Sequence, residues 1–593
     1  MRKFGKIVIW ILAIFGGIGA IGIVAIIVAL TTFKDEVPSV SDKTVLWLDF
    51  NQAVTEKQEI GGFFGGPSGS VRLIDILDAL DAAGSDPRIK GVVAEFGGGQ
   101  IGMAKAQEIR TALHKFRDSG KFTIAYAEDL GSMSGGMIDY YIASAFEEIW
   151  LQPSGGVGFT GFSIEQPYLK GALDELGVIP EFEQRHEYKG GTDMFTKNAM
   201  PAPVKNNLQK LADGWLTQII TGVEEDNPDL HGMGRNLVDN GPYLGSQAIV
   251  NGLVDRLAYW DELESELDLR AGTRREEVSV ADYLLVLNLE SGTSFDDKPD
   301  TSTGIALVYG VGAIDPNAGG VSDDSQFSPY QVADALRDAR EDDAIKAVVF
   351  RVDSPGGAYA QSDMVWREVG LLKAANKPVV VTMGDYAASG GYFVAMAADY
   401  VIASPGTITG SIGVYSGKFA TKALWDKLGI NWDGVKSGEN AGMWGMVHGF
   451  SAKELQKFQQ SVDFVYEDFT GKAALDRDLD PASIDNAARG RVWTGVDALR
   501  MGLVDELGGL SDAINAARSA LKLTADDETY LVELPAPLSP FDQIMALMSG
   551  EGDFLMNAFV DLKISEQLGM ASDRVEALKP TVGMVHMSPL IIR

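Results

Sequence analysis

A serine followed by two glycines lies shortly after an apolar segment in the second half of the chain. Residues 379–382 are β-branched, as expected of a buried strand, and they lead into Met383-Gly-Asp-Tyr-Ala-Ala-Ser-Gly-Gly-Tyr392. Small residues around Ser389 permit a sharp turn from strand to helix, where unpaired N–H groups stabilise negative charge. The turn predicts that Ser389 is a nucleophile, although a serine in a glycine-rich turn is also a common helix N-cap.

A second glycine-rich turn, Asp353-Ser-Pro-Gly-Gly357, follows the predicted strand at residues 348–352. In open α/β sheets the carboxyl ends of adjacent strands open into a crevice that holds ligands, so we expect the two turns to lie together. The N–H of Gly390, with that of Gly356 or Gly357, is then expected to form an oxyanion hole. Each such donor is worth roughly 3–4 kcal/mol in the transition state.

A serine hydroxyl also needs a base to take its proton. None of the five histidines lies in a segment that resembles a triad element, but distances in space cannot be read from sequence, so histidine stays an alternative. A lysine can act instead if burial lowers its pKa toward roughly 7–8, because desolvation disfavours the ammonium form. The chain has no cysteine, which excludes thiol nucleophiles and thiolate metal sites.

The elements that must position these turns occur twice. Three segments recur in the same order in the two halves of the chain: Asp86-Pro-Arg-Ile-Lys-Gly-Val-Val93 and Asp342-Asp-Ala-Ile-Lys-Ala-Val-Val349, Leu173-Asp-Glu-Leu-Gly-Val-Ile179 and Trp425-Asp-Lys-Leu-Gly-Ile-Asn431, and Asn251-Gly-Leu-Val-Asp-Arg-Leu257 and Met501-Gly-Leu-Val-Asp-Glu-Leu507. Such ordered matches indicate a duplication. We predict a first repeat at residues 41–289, a linker at 290–302, and a second repeat with a C-terminal extension at 303–593.

Within each repeat, helical patterns alternate with short β-branched runs, which predicts an α/β fold with mostly parallel sheets. A chain of 593 residues is also too long for one core, since single cores stop growing near roughly 250–300 residues. The formal charge of −33 repels phosphate backbones, so nucleic acid is not an expected partner.

An uncharged segment at residues 7–30 is predicted to cross a membrane, because at 1.5 Å per residue it reaches about 36 Å. Arg2, Lys3 and Lys6 precede it, so residues 1–33 are predicted to be a cytoplasmic N-terminus and an anchor, with the body on the other side. A cleaved signal peptide is the alternative, but its apolar region is usually about 7–15 residues long.

The motifs Ser354-Pro-Gly-Gly, Ala388-Ser-Gly-Gly-Tyr and Thr409-Gly-Ser-Ile-Gly413 closely resemble the signal peptide peptidase A family, also called protease IV, in its long duplicated form. The resemblance implies two tandem repeats of the Clp-protease and crotonase fold group. It also implies a Ser/Lys dyad that needs no metal or cofactor.

The same resemblance implies which lysine is the base. In single-repeat members the catalytic lysine follows a tyrosine in a Ser-Gly-x-Tyr-Lys context. The second repeat here reads Val435-Lys-Ser-Gly-Glu-Asn-Ala-Gly442, in which Asn-Ala replaces the Tyr-Lys pair. The first repeat reads Gln184-Arg-His-Glu-Tyr-Lys-Gly-Gly191 and keeps the pair, which implies Lys189. Tyr188, Ser411 and Ser437 are further candidates for orienting the lysine or lining the pocket.

The first repeat contains a similar turn, Met133-Ser-Gly-Gly136. Counting back from the next predicted strand aligns Met137 with Ser389, which leaves Ser134 three residues out of register. Either an insertion in the helix restores Ser134 to the turn, or the glycines shape a retired site, and we favour the second interpretation.

Together these features predict a serine endopeptidase of the bacterial inner membrane with a periplasmic catalytic body. The resemblance implies a bowl-like homotetramer that degrades cleaved signal peptides and other extended apolar peptides. Base and nucleophile lie in different repeats, so the site must form where two repeats meet, within a chain or between chains. The alternatives are a crotonase-like acyl-CoA enzyme and a catalytically silent membrane scaffold.

Overall fold

The structure is a computed structural model that describes residues 38–57, 69–272, 274–291, 303–318, 326–524, 527–536, 584–586 and 591–592. The predicted anchor at residues 7–30 and most of the predicted linker lie outside these ranges. No helix within the described ranges combines the length and the apolar character needed to cross a membrane.

The first repeat alternates strands and helices. Its strands are β1 Thr44–Asp49, β2 Ala53–Thr55, β3 Ser70–Arg72, β4 Ile89–Phe96, β5 Phe122–Ala127, β6 Glu148–Leu151, β7 Gly156–Val157, β8 Ile164–Glu165, β9 Ile179–Arg185, β10 Tyr243–Leu244, β11 Arg256–Leu257 and β12 Glu276–Ser279. Its helices are α1 Leu73–Ser85, α2 Met103–Arg117, α3 Met137–Ala143, α4 Lys170–Leu176, α5 Asp193–Thr196, α6 Ala202–Asp226, α7 Gly234–Asn240, α8 Gly245–Val250, α9 Trp260–Arg270 and α10 Val280–Ser291, with short 3₁₀ turns at Gly190–Thr192 and Pro228–Leu230.

The second repeat follows the same plan. Its strands, with those of the extension, are β13 Thr303–Val311, β14 Ile345–Ser354, β15 Gly356–Ala358, β16 Val379–Ala388, β17 Tyr400–Ala403, β18 Ile408–Gly410, β19 Val414–Ala420, β20 Val492–Thr494, β21 Glu506–Leu507, β22 Thr529–Leu534, β23 Met584–His586 and β24 Ile591–Ile592. Its helices are α11 Pro329–Glu341, α12 Tyr359–Ala374, α13 Gly390–Ala395, α14 Lys422–Lys427, α15 Ala452–Asp476, α16 Pro481–Ala487, α17 Gly495–Arg500 and α18 Leu510–Ala520.

Each repeat builds one central sheet with the same strand order. The first sheet runs β11-β6-β5-β4-β1-β12 and is parallel throughout. The second contains the equivalent series β21-β17-β16-β14-β13-β22, also parallel, with β18 added beside β16 and β20 antiparallel to β18. The predicted α/β fold with mostly parallel sheets is confirmed.

Strand β14 explains how the two repeats pack together. Successive residues of a strand point to opposite faces of the sheet. Ala347 and Val349 belong to a core shared with the first repeat, whereas Val348 and Phe350 face the helices of their own repeat. Strand β14 is therefore buried on both faces, with helices of its own repeat on one side and the first repeat together with α18 on the other.

A two-stranded ladder also crosses between the repeats. Strand β9 pairs antiparallel with β19, from Ile179 opposite Ala420 to Arg185 opposite Val414. The chain that leaves β9 is therefore carried directly to the end of the second sheet where the glycine-rich turns lie. The C-terminal extension adds two further antiparallel pairs, β23 with β15 and β24 with β8.

Candidate active site

Ser389 lies at the junction of β16 and α13, as the N-cap of that helix. Its backbone has φ 58° and ψ −116°, in the left-handed region that non-glycine residues rarely adopt. Such a conformation costs on the order of 1–3 kcal/mol and persists only where the surroundings enforce it. Here the Ser389 N–H donates to the carbonyl of Gly410 at 2.8 Å. The turn is therefore strained and anchored, as a sharp strand-to-helix turn requires.

Close backbone approach explains the two glycines after Ser389. A Cβ atom on Gly390 would lie 2.8 Å from the hydroxyl of Ser362 and 2.9 Å from the nitrogen of Gly357. On Gly391 it would lie 2.4 Å from the carbonyl oxygen of Ser354. The start of the helix thus packs directly on the second glycine-rich turn. The two turns lie together, as predicted.

The amine of Lys189 reaches this turn from the first repeat. Lys189 Nζ lies 2.6 Å from Ser389 Oγ, 2.7 Å from the carbonyl oxygen of Ser411 and 3.0 Å from Ser411 Oγ. If the amine is neutral, its two N–H groups donate to the two oxygens of Ser411 and its lone pair faces the Ser389 hydroxyl. This geometry suits proton transfer from Ser389 to Lys189.

Burial sets the charge state of the lysine. Both Lys189 and Ser389 are almost completely buried, at 2% and 0% exposed. Within the described ranges no carboxylate forms an ion pair with the Lys189 amine, and burial lowers its pKa well below the ordinary value. Burial thus favours the neutral form of the amine, which can accept a proton, whereas the ammonium form cannot.

Residues just before β20 hold the Lys189 segment in place. The Tyr188 N–H donates to the carbonyl of Arg489 at 3.3 Å, and the Arg489 guanidinium bonds to Glu187 at 2.9–3.2 Å. Gly490 packs so closely that a Cβ atom there would lie 2.4 Å from the nitrogen of Lys189. Sequence reasoning missed these residues, since a glycine between two arginines was their only mark.

The predicted oxyanion donors are not equivalent. The Gly356 N–H donates to the hydroxyl of Ser354 at 3.2 Å, so it is already engaged. The Gly357 nitrogen, in contrast, lies close to Gly390 at the start of α13. Of the two alternatives that the sequence left open, Gly357 is therefore the better partner for the Gly390 N–H.

The three candidates for orienting the lysine have different positions. Ser411 contacts the Lys189 amine through both its carbonyl and its hydroxyl, and its own N–H donates to the Arg491 carbonyl at 2.6 Å. Tyr188 lies beneath the guanidinium of Arg491, whose central carbon is 4.1 Å from the ring centre. Ser437 lies in the exposed stretch 431–440, and the hydrogen-bond partners of the amine among the described residues are Ser389 and Ser411. The suggested role of Ser437 in orienting the lysine or lining the pocket stays a prediction.

The turn of the first repeat keeps the backbone bonds but lacks the serine. Gly136 caps α3, and its N–H donates to the Gly158 carbonyl at 3.2 Å, as that of Ser389 does to Gly410. The strand pairs before the two turns, Leu130 with Val157 and Ala387 with Thr409, are also equivalent.

This equivalence corrects the alignment of the two turns made from the sequence. Gly136, not Met137, is the structural equivalent of Ser389. Residues 132–135 form an insertion that lies before helix α3 rather than within it. The insertion contains Ser134, which is exposed. The insertion therefore does not restore Ser134 to the turn, which agrees with a retired site.

A buried hydroxyl at the start of a helix that faces a buried amine, with no ion-pair partner for that amine among the described residues, is the arrangement of a serine hydrolase that uses lysine as its base. The sequence profile described as "Peptidase family S49" matches residues 115–274 and 372–524, which together cover more than half of the chain. The chain belongs to peptidase family S49 and is a serine peptidase, which confirms the resemblance seen in the sequence.

Full-length relatives agree with this assignment. "Protease 4" of Salmonella typhi is 32% identical over 525 residues, which cover 85% of this chain and 80% of that protein. "Serine protease SPPA, chloroplastic" of Arabidopsis thaliana is 31% identical over 468 residues, with 78% and 68% covered. Among solved structures, a point mutant of ClpP1 from Listeria monocytogenes covers 35% of this chain and 94% of its own at 14% identity, with a TM-score of 0.24. That likeness is too weak to carry an argument, so the Clp and crotonase relationship stays a prediction.

Proposed function

We propose that the chain is an endopeptidase in which the neutral amine of Lys189 activates the hydroxyl of Ser389. The observation that carries this proposal is the 2.6 Å separation of the two groups, both of which are buried. Both residues belong to the same chain, which favours a dyad that closes within one chain across the contact between its repeats.

The reaction follows from the positions of these groups. Ser389 Oγ attacks the peptide carbonyl while its proton passes to Lys189 Nζ, and the N–H groups of Gly390 and Gly357 stabilise the oxyanion. The Lys189 ammonium returns the proton to the leaving amine as the peptide bond breaks. Water then attacks the acyl-enzyme, its proton passes through Lys189 to Ser389, and the carboxylic acid product leaves.

The backbone beside the site supports an extended peptide as substrate. Strand β15 begins within the second turn, and it accepts β23 as an antiparallel neighbour, with Gly356 opposite His586 and Ala358 opposite Met584. An edge that accepts a strand of its own chain can accept a substrate strand in the same way. Cleaved signal peptides, which are apolar and extended when threaded into a closed site, fit this description.

The sequence supports a location for this activity. Residues 7–30 contain no charge and follow Arg2, Lys3 and Lys6, which favours an uncleaved anchor with a cytoplasmic N-terminus. The catalytic body then lies on the periplasmic side of the bacterial inner membrane. We further propose a homotetramer, in which an enclosed site would restrict access to extended chains.

The test is cleavage of an apolar peptide ester by the full chain, compared with the Ser389→Ala and Lys189→Ala variants. We expect each variant to lose at least about a thousandfold in kcat, since a general base alone contributes roughly 10²–10⁴-fold. An activated phosphonate should label Ser389 in the parent protein and nothing in Ser389→Ala. Equal activity in all three proteins would remove the dyad. An exposed Lys189 would favour the scaffold alternative, and the burial of that side chain argues against it.

A further inference from the structure

A second lysine of the first repeat is buried against the second repeat, away from the dyad. Lys105, on α2, is 6% exposed and lies in a group of charged side chains that we call the inter-repeat charge cluster. The cluster consists of Glu56, Lys105 and Glu108 from the first repeat and of Arg351, Asp353 and Asp385 from the second. Its four carboxylates outnumber its two cations, so each cation is shared.

Lys105 is the cation that holds the two aspartates. Its amine donates to Asp353 Oδ2 at 2.6 Å and to Asp385 Oδ2, and it lies 3.4 Å from Glu56 Oε1. Burial opposes the charge of Lys105, but the carboxylates outweigh it, and the pKa of the amine is raised well above its ordinary value. Lys105 therefore stays charged, which is the opposite of what burial does to Lys189.

The two aspartates lie where the sheet changes register. Val352 of β14 pairs with Met383 of β16, but the next pair is Ser354 with Ala387. Asp353 alone thus faces Gly384, Asp385 and Tyr386, and it accepts the Tyr386 N–H at 2.9 Å. Such a bulge redirects the strands that leave it.

Both glycine-rich turns follow directly after this bulge in the chain. On β14 the next residues are Ser354 to Gly357, which include the oxyanion donor, and on β16 they are Ala387, Ala388 and Ser389. A change in the bulge would move the nucleophile relative to the donor.

The first repeat also binds Asp385 through its backbone. The N–H of Ala104, at the start of α2, donates to Asp385 Oδ1 at 2.9 Å. The contact is so close that a Cβ atom on Gly102 would lie 2.0 Å from the Asp385 carboxyl carbon. Asp385 is therefore held from one side by a helix start and from the other by the Lys105 amine.

We propose that Lys105 is a positioning residue for the peptidase, because it neutralises Asp353 and Asp385 and so fixes the bulge that aligns Ser389 with the oxyanion donors. This inference rests on the proposed function. In that case the first repeat contributes two lysines with separate tasks, since Lys189 exchanges protons with the nucleophile while Lys105 touches neither substrate nor the reacting atoms.

The test uses Lys105→Met in the full chain, with kcat and KM for the peptide ester normalised to active sites titrated with the phosphonate. We expect kcat to fall about a hundredfold while KM changes less than about threefold. The substrate-binding edge of β15 is unchanged, whereas the alignment of Ser389 with the oxyanion donors is lost. Adding Asp385→Asn should restore kcat to within about tenfold of the parent protein. The second substitution returns the cluster to its original net charge, and the amide oxygen can still accept the Ala104 N–H.

Arg110→Met is the matched control, because Arg110 is also a buried cation of α2, paired with Asp226 in the first repeat. It should lower the melting temperature and leave kcat per active site unchanged. A parent-like kcat in Lys105→Met would overturn the proposal, as would a double variant that folds but stays a hundredfold less active. If Lys105→Met alone does not fold, the kcat of the double variant decides between these outcomes. A failure of the proposed function is distinguishable, since Ser389→Ala would then retain activity.

Discussion

The strand-to-helix turns of the two repeats share one backbone framework and differ in what they place on it. At Ser389 the turn presents a hydroxyl to a buried amine, whereas the equivalent Gly136 presents no side chain and follows the inserted residues 132–135. For the amine, the difference between the repeats is reversed. The segment after β9 in the first repeat contains the buried Lys189, whereas the segment after β19 in the second repeat continues into the exposed stretch 431–440. In the proposed dyad, each repeat supplies the half of the site that the other lacks.

In the proposed mechanism, this division makes the contact between the repeats part of the catalytic apparatus. A duplicated protein with one complete site in each repeat would tolerate small shifts between them. Here a shift of about 1 Å would separate Lys189 from Ser389, and such misplacement can cost roughly a hundredfold in rate. The inter-repeat contacts should therefore be more sensitive to substitution than equally buried contacts within one repeat.

Gly490→Ala should give the largest effect of this kind. A Cβ atom there would collide with the backbone of Lys189, and the φ of +85° disfavours any side chain. We expect kcat for the peptide ester to fall at least about a hundredfold. Gly502→Ala is the control, because it has a similar φ of +73° and a contact only with Leu479 of its own repeat. It should lower stability and leave kcat nearly unchanged, and equal losses in both variants would contradict this interpretation.

The pH dependence separates Lys189 from an ordinary lysine. The base must be neutral, so kcat/KM should fall about tenfold per pH unit below the folded pKa of Lys189, which burial lowers well below its ordinary value. A profile that keeps rising up to the ordinary lysine pKa, near pH 10.4, would show a solvated amine instead.

Stability should respond to pH with the corresponding sign. Between the two pKa values of Lys189 the unfolded chain binds a proton that the folded chain does not, so this residue makes the free energy of unfolding rise with pH. Lys189→Met removes that dependence. It should be more stable than the parent protein at neutral pH, with a difference that shrinks by up to about 1.4 kcal/mol per pH unit as the pH rises toward 10.4. Denaturant unfolding of both proteins at several pH values measures this difference.

Ser411→Ala should have a smaller effect. It removes one of the two acceptors of the Lys189 N–H groups and leaves the backbone carbonyl at 2.7 Å in place. The loss of one hydrogen bond is worth on the order of 1 kcal/mol, so we expect kcat to fall roughly fivefold. Ser437→Ala, in the exposed stretch, should match the parent protein, and a loss in that variant would return Ser437 to the site.

The sequence predicted what local pattern controls and missed what depends on contacts between distant segments. Short β-branched runs that alternate with helical patterns predicted the parallel sheets. The small residues around Ser389 predicted a sharp turn from strand to helix. The motif match selected Lys189, but no local pattern indicated its distance from Ser389 or the role of Gly490, because both depend on how β9 pairs with β19. The role suggested for Ser437 came from the same motif match, and its segment is exposed, so that role stays a prediction.

Ser134→Ala should give the smallest effect, and it completes the comparison of the two turns. Ser134 is exposed and lies before the N-cap position that Gly136 occupies, so its hydroxyl has neither the strained turn nor a buried amine beside it. We expect unchanged kcat and KM, and peptide mapping after phosphonate labelling should locate the label on Ser389 alone. Label on Ser134 would mean that the first repeat forms a second nucleophile site, and the division of labour between the repeats would then be wrong.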